Sequence, residues 1–184
     1  MFGRIFLVAA FCLLSAAPCA LAMTYANEPK DFYGLKWGLA VGELEKGGHR
    51  FAPAGGEPGR ATRSYACASR PSNFYGTLFD AVSYEFFNGR FFMVKATKNG
   101  GAGLDSQELY FALVKAHGRP TQQNDDLYQK TVAYLWQGND TFISLRYDFA
   151  RKQTVLSFYS HPLYQQWSAR SARPPSGRIR ERGG

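Results

Sequence analysis

Leu78–Thr97, LFDAVSYEFFNGRFFMVKAT, decides the fold. Two runs rich in aromatic and β-branched residues flank Asn88-Gly89, a dipeptide suited to a two-residue hairpin turn because both turn positions need positive φ. Such a turn sets Phe87 opposite Arg90 and Phe86 opposite Phe91. Strict alternation from there predicts one face carrying Val82, Tyr84, Phe86, Phe91 and Met93. The other face places Phe87, Phe92 and Val94 among Ser83, Glu85 and Arg90. The first face reads as core and the second as partly covered.

Downstream, the glycine-rich Asn99–Gly103 leads into a predicted helix over Ser106–His117. Asp105 with Glu108 has the form of a capping box, and Leu109, Ala112, Leu113 and Ala116 make one apolar stripe. Gly118 and Pro120 end it. Three predicted strands follow, Leu127–Trp136, Thr141–Tyr147 and Thr154–Ser160, separated by Gly138-Asn139-Asp140 and by 150–153. Pro162–Ala172, with Leu163 and Trp167 one turn apart, predicts a terminal helix. Upstream lie a predicted strand over Thr62–Ala68, a Pro/Gly-rich loop over Phe51–Gly59 and a short helix over Leu39–Lys46 stopped by Gly47-Gly48. Asn73–Gly76 reads as a turn. The expectation is an α+β domain with antiparallel sheet, organised as two helix-plus-three-strand units built mostly from antiparallel meanders. The residues of the two halves do not repeat convincingly.

The N-terminus carries an address. Arg4 precedes an uncharged apolar run, Ile5–Leu14; Pro18 breaks it, and Ala20-Leu21-Ala22 has the small-x-small form that a signal peptidase cuts. The run falls short of the roughly 20 apolar residues of a bilayer span. Residues 1–22 therefore read as a signal peptide, 23–168 as a single domain, and the mature protein as periplasmic or secreted, with no transmembrane span. A lipoprotein with Cys19 as its acylated residue ranks below this, because Pro18 precedes the cysteine. Cleavage removes Cys12 and Cys19, leaving Cys67 as a lone thiol, expected buried within its strand as a small hydrophobe.

The formal charge of +8 is unevenly placed. Without Arg4 it is +7; residues 169–184 hold Arg170, Arg173, Arg178, Arg180 and Arg182 against Glu181, or +4, so the body is only +3. The Arg-rich tail, with Pro174-Pro175-Ser176-Gly177, is too polar to bury apolar surface and reads as disordered. Its functional reading is contact with an anionic envelope surface. Export argues against nucleic acid as a partner.

Phe32-Tyr33-Gly34-Leu35-Lys36-Trp37-Gly38, soon after the leader, resembles the opening of small exported bacterial proteins of unassigned role, which share an aromatic-x-Gly-x-x-Trp-Gly segment. Lys115–Pro120, a helix end before a strand containing Trp136, is similar too. The resemblance implies export and an α+β domain, and it carries no catalytic residues.

No pattern in the chain is a specific catalytic motif. The Lys98–Gly103 loop precedes a helix, as phosphate loops do, but matches neither standard glycine fingerprint and would face Asp105 and Glu108. His49, His117 and His161 lack partners at metal-binding intervals; His117, in a last helical turn, suits the helix dipole as a cation. Asp125-Asp126 lacks the rhythm of a calcium loop. Cys67 with a distant histidine, or Ser160 beside His161, are the imaginable nucleophiles, and no nucleophile elbow is present. Trp37, Tyr33 and Trp136, with Phe32 and Tyr134, are the candidates for an aromatic groove. The expectation is an exported soluble binding or interaction protein of the cell envelope, taking no cofactor or metal and pairing with an envelope protein or anionic surface. The alternative is a periplasmic hydrolase with a site built from dispersed residues.

Overall fold

The computed structural model describes residues 25–55, 61–70, 72–100 and 104–171. The expected leader 1–22, the glycine-rich 101–103 and residues 172–184 of the expected tail lie outside them; residues 169–171, expected as the start of that disordered tail, belong instead to the last helix. The chain opens with a small hairpin, β1 (Asp31–Phe32) and β2 (Leu35–Lys36), then α1 (Val41–Lys46). β3 (Phe51–Gly55) and β4 (Thr62–Cys67) follow, then a second small hairpin, β5 (Asn73–Phe74) and β6 (Thr77–Leu78). β7 (Ala81–Phe87) and β8 (Arg90–Asn99) precede α2 (Leu104–His117). The chain then runs through β9 (Gln122–Asp126), β10 (Thr131–Gln137), β11 (Thr141–Asp148) and β12 (Gln153–Ser160) into α3 (His161–Ser171). No helix among the described residues is long and apolar enough to cross a membrane.

The larger strands form one antiparallel sheet in the order β3-β4-β7-β8-β12-β11-β10-β9. Each half of the chain is a meander introduced by a helix, and the two meanders meet along their last strands, β8 and β12. The α+β, antiparallel expectation holds, but each unit contributes four sheet strands, not three. The additional strands are the two edges, β3 (FAPAG) and β9 (QQNDD). An edge strand pairs on one side only, so it tolerates Pro53 and an all-polar sequence that would disqualify a central strand.

The Asn88-Gly89 turn forms with φ of 50° and 75°, and Phe87↔Arg90 and Phe86↔Phe91 pair as expected. The alternation then breaks. Glu85 pairs with Met93, so Phe92 is the extra residue of a bulge. A one-residue slip exchanges the two faces of a strand. Val94 and Ala96, not Met93, therefore join Tyr84, Phe86 and Phe91 in the main core. Phe92 and Met93 pack with Phe87 on the opposite face. The slip also sets Lys95 opposite Ser83, clear of the core.

Leu44 of α1 and Leu109 and Leu113 of α2 bury against the main core face. α3 crosses to the other face, where Leu163 and Trp167 cover Phe87 and Phe92. The two small hairpins share a device the strand-level reading misses: Phe32-Tyr33-Gly34 and Phe74-Tyr75-Gly76 each turn on a Tyr-Gly pair with positive φ at both residues. The hairpins pack on one another, with the Phe32 and Phe74 rings 5.3 Å apart, and Phe32 also meets Tyr84 and Phe158. Ahead of them, Glu28 accepts from the backbone N–H groups of Asp140 (2.6 Å) and Thr141 (2.7 Å). A side chain on Gly138 would collide with that carboxylate and with the Thr141 carbonyl.

Leu113 is fully buried, whereas Leu127, at the β9–β10 turn, is 90% exposed. Leu113→Ala is expected to cost about 2–5 kcal/mol in urea denaturation, and Leu127→Ala less than about 0.5 kcal/mol. Equal losses would contradict the placement of α2 on the core.

Candidate functional site

Among the grooves lined by the described residues, three differ in charge. The first, about 590 Å³, opens beside the β7–β8 turn. Val41, Tyr65 and Phe86 contribute apolar surface, and Arg63 and Arg170 supply guanidinium groups. Arg170, in the last turn of α3, donates to the Asn88 side-chain oxygen at 3.2 Å. That bond ties the helix end to the turn which the sequence specifies most strongly. No carboxylate lines this groove among the described residues. Apolar surface beneath two guanidiniums, which form paired hydrogen bonds to phosphate or carboxylate, suits an anionic group with an apolar body.

The second groove, about 290 Å³, lies between α3 and the sheet and again holds cations, Lys95 and Arg146, without a lining carboxylate among the described residues. The third, about 430 Å³, mixes Lys30 and Lys36 with Asp31 and Asp140 beside Trp37. Its opposed charges give no preference for the sign of a ligand.

The residues expected to make an aromatic groove are separated. Trp136 is fully buried and donates to the Gly118 carbonyl at 2.9 Å; it is a core residue, out of reach of a ligand. Trp37 stacks on Phe91 at 4.9 Å, donates to Thr141 Oγ1 at 2.9 Å, and shows its remaining edge to the third groove. Tyr33 is exposed at the β1–β2 turn, packed on Phe32 and Phe74. The strands simply point Trp136 inward, a distinction that residue type alone does not reveal. Of the arginines, Arg170 stands at the first groove, while Arg173, Arg178, Arg180 and Arg182 lie outside the described residues. Arg63 escaped the sequence reading; its position on β4, next to the best-specified hairpin, was the available signal.

The histidines are engaged. His117 is buried, not a solvated cation at a helix end. A carbonyl oxygen only accepts, so Nδ1 carries the proton given to Asn27 (3.1 Å), and Nε2 accepts from the Tyr75 hydroxyl (2.8 Å). Burial pushes its imidazole below the ordinary value, against a smaller pull from the Asn27 bond, and pushes the Tyr75 hydroxyl upward. His161 donates to the Gly138 carbonyl and meets the Gln165 amide at 3.0 Å, which leaves no nitrogen for Ser160. His49 faces Arg70 at 3.3 Å. Cys67 is buried with its sulfur 3.3 Å from the Ser69 hydroxyl, and no group of three His, Cys, Asp or Glu among the described residues is placed to hold a metal ion. No protein-family model matches the chain, and neither does any curated protein or solved structure.

Two outcomes follow from these placements. Trp136→Ala should cost about 3–5 kcal/mol and Trp37→Ala clearly less, read by thermal denaturation; the reverse order would mean Trp37 is the deeper anchor. Because the folded pKa of His117 lies below the unfolded one, the unfolded chain binds the proton first as pH falls. Its contribution is complete above about pH 6.5 and declines below it. The side chains against it, Tyr25 and Tyr75, are uncharged in that range. His117→Gln should therefore flatten the fall of melting temperature between pH 7 and pH 5, and an unchanged slope would refute the assignment.

Proposed function

We propose that this is an exported, noncovalent binding module of the cell envelope that contacts an anionic partner surface through Arg63 and Arg170. The observation that carries the reading is the groove at the β7–β8 turn, lined by Arg63 and Arg170 together with Val41 and Tyr65 and by no carboxylate among the described residues. Export rests on the leader-like 1–22, and the arginines after 170 extend the same positive charge along the sequence. The engaged histidines support binding over hydrolysis: Ser160 has no free imidazole beside it, and Cys67 is buried.

Co-sedimentation with vesicles tests the proposal. The protein should pellet with phosphatidylglycerol vesicles at low salt and not with phosphatidylcholine vesicles, and added salt should release it. Arg63→Glu with Arg170→Glu should lower the bound fraction at least about tenfold, the scale of losing a charge-assisted contact. Deleting residues 170–184 should abolish binding. Retention at equal strength after both changes would overturn the reading.

A further inference from the structure

The groove between α3 and the sheet is built differently from the one at the turn. Its floor is an ordered array set by strand register. Ser144 on β11, Ser157 on β12 and Lys95 on β8 form one row across three strands, since Ser144 pairs with Ser157 and Ser157 with Lys95. Arg146 and Val155 form the next row. On the other side rise Tyr159 of β12 and Tyr164 and Trp167 of α3. Tyr159 and Tyr164 meet edge to face at 4.9 Å, and the Tyr164 and Trp167 rings lie 5.4 Å apart. All three rings are only partly covered.

Neither Lys95 nor Arg146 has an ion-pair partner among the described residues, and both side chains are exposed. The acids on this sheet face are engaged elsewhere: Glu85 accepts from the Ser64 hydroxyl, Asp148 pairs with Arg151 at 3.8 Å, and Asp126 accepts from the Gln129 N–H at 2.8 Å. Lys95 and Arg146 stand on strands separated by β12 and in successive rows, so their stems are about 12 Å apart. Two exposed cations so placed can meet acid groups at separate points of one ligand. They fit an extended ligand bearing more than one acid group.

β8, β12 and β11 are interior strands, paired on both sides, so the floor has no free backbone for a peptide to pair with. It offers the Ser144 hydroxyl, ring surfaces and two separated cations. A sugar ring has an apolar C–H face for an aromatic side chain and a rim of hydroxyls for serine, and a uronic acid adds the carboxylate. We propose that this groove binds a short stretch of an acidic, uronate-bearing oligosaccharide, with Tyr159, Tyr164 and Trp167 as the stacking wall, Ser144 at the hydroxyls, and Lys95 and Arg146 at carboxylates on separate sugar units; Ser157, buried beneath, is part of the floor's framework. The site goes beyond the Arg63 and Arg170 groove and stands or falls without it.

The probe is tetragalacturonate, titrated calorimetrically into the folded protein at low salt, with maltotetraose, oligothymidylate and inorganic phosphate as comparators. Tetragalacturonate should bind, and maltotetraose at least about tenfold more weakly. Lys95→Gln and Arg146→Gln, both on exposed side chains, should each weaken binding roughly tenfold. Arg63→Gln with Arg170→Gln should leave it unchanged, which separates this site from the vesicle-binding proposal. Tyr164→Leu, checked for an unchanged melting profile, should weaken the acidic sugar and leave phosphate unaffected. No tetragalacturonate binding, equal affinity in the Lys95→Gln/Arg146→Gln double variant, or equal competition by phosphate would each overturn the proposal. Tighter oligothymidylate binding through the same residues would reassign the groove as a single-strand nucleic-acid platform.

Discussion

The antiparallel pairing of β8 with β12 holds the two halves of this protein together. Seven cross-strand pairs, from Gln153↔Asn99 to Tyr159↔Met93, join a meander from the first half of the chain to one from the second. On one side of the seam, Leu156 with Ala96 and Phe158 with Val94 fill the centre of the main core. On the other, Ser157 with Lys95 and Tyr159 with Met93 form the floor beside α3. One set of backbone hydrogen bonds thus fixes the hydrophobic centre and the polar array at the same time. Neither half is self-sufficient: α1 buries only Leu44, and the β1–β2 hairpin of the first half covers Phe158 of the second. The contacts joining the halves are distant in sequence, so their closure entropy must be met before the core rewards it.

The bulge at Phe92 links this architecture to chemistry. Without it, Lys95 would stand opposite Val82 on the core side, and Ala96 would face outward. A buried, unpaired lysine is costly, so the slip both relieves the core and delivers a cation to the α3 side. There it joins Arg146, while Arg63 and Arg170 meet at the neighbouring turn. The opposite side of the sheet treats its ionisable groups in the contrary manner. His117 is sealed between Tyr25 and Tyr75 with both nitrogens bonded, which holds the lead-in segment to the end of α2. Lys95 and Arg146 meet solvent on the α3 side, Arg63 does so on the face it shares with Phe86, and His117 is locked at the end of α2.

Much of this was legible in the sequence. The Asn88-Gly89 turn and its first two pairs were readable because the turn chemistry is local, as was α2, whose Leu109 and Leu113 repeat at helical spacing and whose exit is marked by Gly118. What escaped depends on partners distant in sequence. The bulge needs the neighbouring strands to show which side of Met93 is buried. β3 and β9 lack alternation because one flank of each has nothing to pair with. Trp136, Trp37 and Tyr33 are similar as aromatic residues and lie at three different depths, since depth is set by register and not by residue type. The groove cations are spread over β4, β8, β11 and α3, and no spacing along the chain announces their approach.

The composition of the two outer strands has a further result. β9 presents Asp125 and Asp126 along an otherwise polar, solvent-facing strand, and β3 is interrupted by Pro53, where its pairing with β4 also skips a residue. A second molecule aligned against β9 would bring carboxylates against carboxylates, and one aligned against β3 would meet a position with no N–H to give. Continuous growth by adding strand beside strand is thereby discouraged at both edges, so a sheet rich in phenylalanine and tyrosine is guarded against seeding fibrils.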